Sequence, residues 1–259
     1  MSQPTDHGTD SAGQPWAGRQ FQAGPASTDD GSAPESLIQA LRRFHDGTGS
    51  NAEVVDVLRG TRLLIPLVAH LGESGTDDAG HRLDKTQELA IVTVAGPDGR
   101  DVLPVFSSVT ALQTWNPRAR PVPADGVRVA LAAASERTDL VVLDPTSETE
   151  FVVRRPALWA MARAMRWAPS YADAAVARVF QESAAGERAV IALTLAPGDP
   201  MARLAGPELL VRLELEPGLV QSELNALLDR LQACWAASTV IAQHVDSMAV
   251  KVLGSSTRQ

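Results

Sequence analysis

Cysteine is almost missing from this chain: Cys234 stands alone among 259 residues. One thiol cannot form an intramolecular disulfide, so the fold relies on packing, and a reducing compartment is expected. Aromatics are also scarce, at 4% against 44% hydrophobic residues overall, so the core is expected to be built from Ala, Val and Leu. Long apolar runs are absent too. The longest, Leu63 to Leu71, is interrupted by Pro66 and His70 and falls far short of a membrane span. The opening MSQPTDHGTD carries neither a basic nor an apolar targeting region, so a cytoplasmic protein without membrane association is expected.

Positive charge is in deficit, with a net charge of −8. Half of it lies in residues 1–35, where five acids face the single base Arg19. Non-specific nucleic-acid binding needs many phosphate contacts, so nucleic acid is not an expected partner. The same segment is rich in Gly, Ser, Thr, Asp, Gln and Pro, and cannot bury enough surface to offset the entropy of ordering. It is expected to be a disordered tail. Trp16 and Phe21 are its two aromatics, either stray or part of a short docking motif.

From residue 34 the pattern changes. Leu37, Leu41 and Phe44 recur at helical spacing, and a second short helix over 51–59 carries Val54, Val55 and Leu58. The run Arg62–Ala69 predicts a strand covered on both faces, with Pro66 at an edge or bulge. Residues 72–86 read as an exposed loop. Glu88–Ala95 and Asp101–Phe106 flank a Pro-Asp-Gly turn and predict a hairpin. Ser107 or Ser108 is placed to cap a helix over 109–115, which Asn116-Pro117 ends. An extended RARPVP stretch follows, then a helix at about 126–137 and strands Asp139–Leu143 and Phe151–Arg154. A helix opens at Arg155-Pro156.

After Pro169 a second unit is expected. Its helices lie at 170–184 and 221–236, and its strands at Ala189–Leu195, Leu209–Leu215, Val240–Gln243 and Met248–Leu253. The fold class is therefore α+β, a mixed sheet with flanking helices and a smaller C-terminal α+β unit. The expected divisions are a tail over 1–35, a domain over 50–167 and a second over 168–254.

The strand–turn–strand ending in LPVFSS (103–108), the WNPRARPVP stretch (115–123), LVVLDP (140–145) and FVVRRPALWA (151–160) occur in one order. Together they resemble the N-terminal domain of the SseB family. The resemblance covers about 62–165 and implies an α+β domain. It implies no agreed catalytic residues, so it bears on fold more than on activity.

Candidate chemistry gathers around arginine and tryptophan. Arg118 and Arg120 flank a proline-framed loop beside Trp115. On a helix running from Arg155, positions 155, 159, 163 and 166 fall within about 80° of one another. Arg155, Trp159, Arg163 and Arg166 would then share one face, with Leu158, Met161 and Met165 adjoining it. No acid occurs between Phe151 and Tyr171. Arginine with tryptophan suits carboxylate or phosphate groups and also protein hot spots. The binding set is Trp115, Arg118, Arg120, Arg155, Trp159 and Arg163; the bland alternative is that these arginines pair locally.

Catalytic patterns are missing. Ser107 and Ser108 lack a nucleophile elbow, and Cys234, His244 and Asp246 form a catalytic set only in imagination, a buried inert thiol being the simpler reading. The five histidines show no metal-ligand spacing, and no phosphate-cradling glycine motif is present. No metal or cofactor is expected. The sequence thus points to a non-enzymatic binding or adaptor protein with a protein partner. An enzyme or sensor for a small anionic metabolite is the alternative, and a homodimer through the strands near 240–253 is a third possibility.

Overall fold

In a computed structural model the structure describes residues 29–71 and 87–254. The expectations for most of the tail, Trp16 and Phe21 included, and for the loop 72–86 lie outside the described residues. The described residues from Ser32 onward belong to one compact unit.

The first two helices are α1 (Glu35–His45) and α2 (Asn51–Gly60). α1 buries Leu37, Ala40, Leu41 and Phe44, one face at helical spacing. Ser50 opens α2, its side chain accepting from the Glu53 amide. Strand β1 (Arg62–Leu71) pairs antiparallel with β2 (Gln87–Ile91) on one edge and β5 (Arg120–Asp125) on the other. A second sheet has the order β3-β4-β6-β7, formed by Val94–Ala95, Asp101–Val105, Leu140–Leu143 and Phe151–Arg154. The β4–β6 pair is parallel and its neighbours are antiparallel.

The single strand expected over 88–95 is therefore two. Its first half extends the β1 sheet and its last two residues pair with β4. The Pro66 expectation also takes a different form, because β1 is central in its sheet. Leu64 exchanges two backbone hydrogen bonds with Phe106 on the edge away from β5, and pairing with β2 begins only at Leu67. Pro66 falls in the gap between them, where its missing N–H removes no ladder bond.

Alternation along the strands creates two buried faces. Leu63, Ile65, Leu103, Val105, Val141, Leu143, Phe151 and Val153 pack under α1, α2, α4 (Gly126–Ser135) and α5 (Arg155–Ala162). Val102, Leu140, Val142 and Val152 point the other way and meet Leu204. A loop from the C-terminal half thus covers the back of the β4–β6–β7 layer. This explains why these strands read as continuous apolar runs.

Two polar devices hold the end of this sheet. Ser108 caps α3 (Val109–Trp115), its hydroxyl accepting from the Ala111 amide at 3.0 Å. Ser107 turns the other way, and its amide and hydroxyl donate to the buried Asp144 carboxylate at 2.8 and 2.6 Å. Thr149 donates to the same carboxylate. Asp144 has a φ of 43°, a conformation that aspartate tolerates better than most residues. The SS of LPVFSS and the DP of LVVLDP are therefore two halves of one clasp.

The C-terminal half contains a short 3-10 turn (Ser170–Ala172), α6 (Ala174–Ala184), β8 (Val190–Pro197), β9 (Leu209–Leu215), α7 (Gln221–Ala236), α8 (Thr239–His244) and β10 (Met248–Gly254). The sheet order is β10-β9-β8. Leu209, Val211, Leu213 and Leu215 pack against Val176, Phe180, Leu227, Leu231 and Trp235. The Trp235 indole N–H donates to Ser183 Oγ at 2.8 Å.

The strand expected over 240–243 is the helix α8. Ser238 caps it through the Ile241 amide, and that signal outweighs the β propensity of a Val-Ile pair. The helix expected from 170 begins at Ala174, where the Asp173 side chain accepts from the Ala175 and Val176 amides. Cys234 is exposed, contrary to the buried thiol expected, because it sits on the solvent side of α7 next to the buried Trp235.

Candidate functional site

The six expected binding residues fall into two groups. The first is built on α3 and β5. Trp115 closes α3 and packs on Phe106 with ring centroids 5.2 Å apart, inside a small core with Leu64, Leu112 and Ala119. Trp115 is half-buried there. Asn116 ends the helix, and its Oδ1 accepts from the Arg118 amide at 3.0 Å, a local turn that aims the chain into β5. Arg118 and Arg120 are exposed.

The second group is built on α5. Arg155 is half-buried and faces inward. Its Nη2 donates to the carbonyls of Ala242 and Val245 at 3.1 and 2.9 Å, at the C-terminal end of α8. A guanidinium at a helix C-terminus satisfies carbonyls that have no intrahelical partner and complements the dipole. Arg155 therefore fastens α5 to α8. Its Cζ also lies 5.2 Å from the ring centre of Trp159, which fixes one side of that indole.

The helix expected to carry 163 and 166 stops at Ala162. The Ala164 amide bonds to the Met161 carbonyl and the Met165 amide to the Ala160 carbonyl, with Ala164 at a φ of 53°. This is a Schellman ending with alanine where glycine is usual. Its effect is to turn Met165 outward. Leu158 and Met161 are buried as expected, but Met165 is 57% exposed.

That turn creates a groove of about 250 Å³ between the end of α5, the start of α6 and the end of α8. Trp159, Arg163, Met165, Arg166 and Trp167 line it. Trp159 is 41% exposed and both arginines are exposed. Among the described residues, neither Arg163 nor Arg166 has an ion-pair partner. Asp173 is the carboxylate on the wall, and its charge is already engaged. Its Oδ2 meets His244 Nδ1 at 2.8 Å, and Oδ1 accepts from the first amides of α6. Burial pushes the Asp173 carboxyl up, but these hydrogen bonds outweigh it and hold the group below its ordinary value.

A buried ionic cluster lies elsewhere, and sequence reasoning missed it. Arg154 Nη1 donates to Asp246 Oδ2 at 3.0 Å and Nη2 to Asp199 Oδ2 at 2.7 Å. Arg100 takes the same Asp246 carboxylate with both terminal nitrogens at 3.0 Å. Burial raises the Asp246 carboxyl, yet the two arginines hold it below its ordinary range. Glu208 accepts from the Ser170 and Asp246 amides, but burial dominates and its carboxyl is pushed up. The partners come from positions 100, 154, 199 and 246, so no local pattern could have announced them. The cluster ties the C-terminal sheet to β7 and the β3–β4 turn.

Cys234, His244 and Asp246 do not converge. His244 pairs with Asp173, Asp246 with Arg100 and Arg154, and the thiol is on the surface. Among the described residues, no group of three or more His, Cys, Asp or Glu side chains is placed to hold a metal ion. No helix among them is long and apolar enough to cross a membrane.

Neither the curated proteins nor the solved structures include a match to this chain. Residues 37–160 match the family model described as the SseB protein N-terminal domain. The match begins in α1, whose Leu37 and Leu41 share the core with α4 and α5, and it ends inside α5. The α+β layer of α1 through α5, with its Ser107–Asp144 clasp, is thus the part of the chain that matches the SseB N-terminal domain, and that match supports the SseB family.

Proposed function

We propose that this chain is a non-enzymatic, cytoplasmic binding or adaptor protein, and that it recognises a protein partner through the groove at the end of α5. The observation that supports this is the exposure of Trp159 and Met165 beside two arginines without ion-pair partners among the described residues. Trp, Met and Arg are among the residue types enriched at protein interfaces, and Trp and Arg are among those whose truncation there is costly. The groove is open and partly apolar, as a docking surface needs.

Of the six residues singled out from sequence, Trp159 and Arg163 contribute contacts to the partner. Arg155 positions Trp159 from behind. Trp115, Arg118 and Arg120 form a separate surface. The test is affinity purification of the tagged chain beside a Trp159→Ala/Arg163→Glu variant, with mass spectrometry of what co-purifies. A partner recovered with the wild type and lost with the variant supports the reading. Recovery of every partner in equal amount with both contradicts it. Stabilisation of the chain by small anionic metabolites, with no protein recovered, favours a metabolite sensor instead.

A further inference from the structure

We infer that the partner of this groove is an acidic peptide segment that places an apolar side chain next to one or two carboxylates. The inference rests on the adaptor reading and adds the chemistry of the partner.

Charge complementarity is the first argument. Arg163 and Arg166 bring two positive charges to the rim, and both lack ion-pair partners among the described residues. The one carboxylate on the wall, Asp173, is engaged by His244 and by the first amides of α6. The groove is therefore cationic within a chain of net charge −8. A basic segment would meet two like charges with no free acid to receive it.

The apolar requirement is the second argument. An exposed ion pair is worth only about 0–1 kcal/mol, because water and salt screen it. Carboxylates alone would not hold at this rim. Trp159 is backed by Arg155 at 5.2 Å, so its free face is fixed in place, and Met165 offers a soft, adaptable surface beside it. An apolar side chain laid over Trp159 and Met165 removes water from the rim and strengthens the arginine–carboxylate pairs next to it. The volume of about 250 Å³ accommodates side chains rather than a folded domain. The chain leaves α5 in an irregular run from Arg163 to Pro169, and Met165, Arg166, Trp167 and Ala168 of that run line the groove.

The experiment is selection of a displayed random peptide library on the full chain, repeated on Arg163→Glu/Arg166→Glu and on Trp159→Ala. Thermal midpoints are measured for each variant to confirm the fold. The expected result is enrichment of peptides with Asp or Glu flanking Leu, Ile, Phe or Trp. Their affinity should fall about tenfold or more in each variant and weaken as salt is raised. Enriched peptides without acids, still dependent on Trp159, would overturn the inference and leave the adaptor reading standing. No enrichment, with all variants folded, would overturn both. Peptides that bind equally to the wild type and the double-glutamate variant would overturn the inference as well.

Discussion

Arg154 and Asp246 meet at 3.0 Å although 92 residues separate them in the chain. Both side chains are almost fully buried, with 8% and 1% exposed. Arg100 shares the carboxylate through both of its oxygens. A buried charge without its counter-ion is far more costly than a pair replaced as a whole. Asp246→Ala strands Arg154 beside a single remaining carboxylate, Asp199. It should cost about 3–5 kcal/mol, read as a lower denaturant midpoint. Removing the cluster together, with Arg100, Arg154, Asp199 and Asp246 replaced by apolar residues of similar volume, should cost less than the single change.

Glu208 gives the pH dependence a definite sign. Burial pushes its carboxyl above the ordinary 4.5, so the folded chain holds a proton that the unfolded chain releases. Its contribution favours folding below about pH 4.5 and is lost as the pH rises through the folded value. In Glu208→Gln that component disappears. The stability of the wild type should therefore fall relative to that of the variant as the pH rises from about 4.5, measured as denaturant midpoints for both chains. Parallel profiles across this range would contradict the assignment.

Gly126 opens α4 where the helix crosses α2. A Cβ there would stand 2.2 Å from the Leu58 carbonyl oxygen and 2.9 Å from the Arg59 Cα. Backbone cannot yield as a flexible side chain does. Gly126→Ala should cost about 1–3 kcal/mol through overpacking. Gly186 has open space around it, so Gly186→Ala is the control and should be neutral or slightly stabilising.

Ala164 holds the left-handed position that ends α5. A side chain there costs about 1–2 kcal/mol, partly offset in glycine by greater freedom when unfolded. Ala164→Gly should raise stability by about 0.5–1 kcal/mol, seen as a higher thermal midpoint, with the groove unchanged.

The first half of the fold was largely legible. Leu37, Leu41 and Phe44, the proline at the second position of α5 and the cap at Ser108 are local signals, and the structure follows them. Each miss has its own physical cause. The extent of α5 was overestimated because its terminator is an alanine in a glycine position, fixed by backbone hydrogen bonds that composition does not reveal. The segment 240–243 was too short for periodicity to distinguish helix from strand, and its cap decided the matter. The candidate surface was half legible: Trp159 and Arg163 lie in the groove, while Arg155 turned inward because α8 presents it with free carbonyls. The Arg100–Asp246–Arg154 cluster exists only once the chain has folded.

The most direct test of the binding surface is a photo-crosslinking residue placed at Met165 in the full chain, in the cells that make it. Met165 is 57% exposed and lines the groove. The same residue at Gln232, exposed on α7, serves as the control. The account predicts a discrete crosslinked species from position 165 that Arg163→Glu/Arg166→Glu abolishes, and none from position 232. No product at 165, or the same products from both positions, would contradict it.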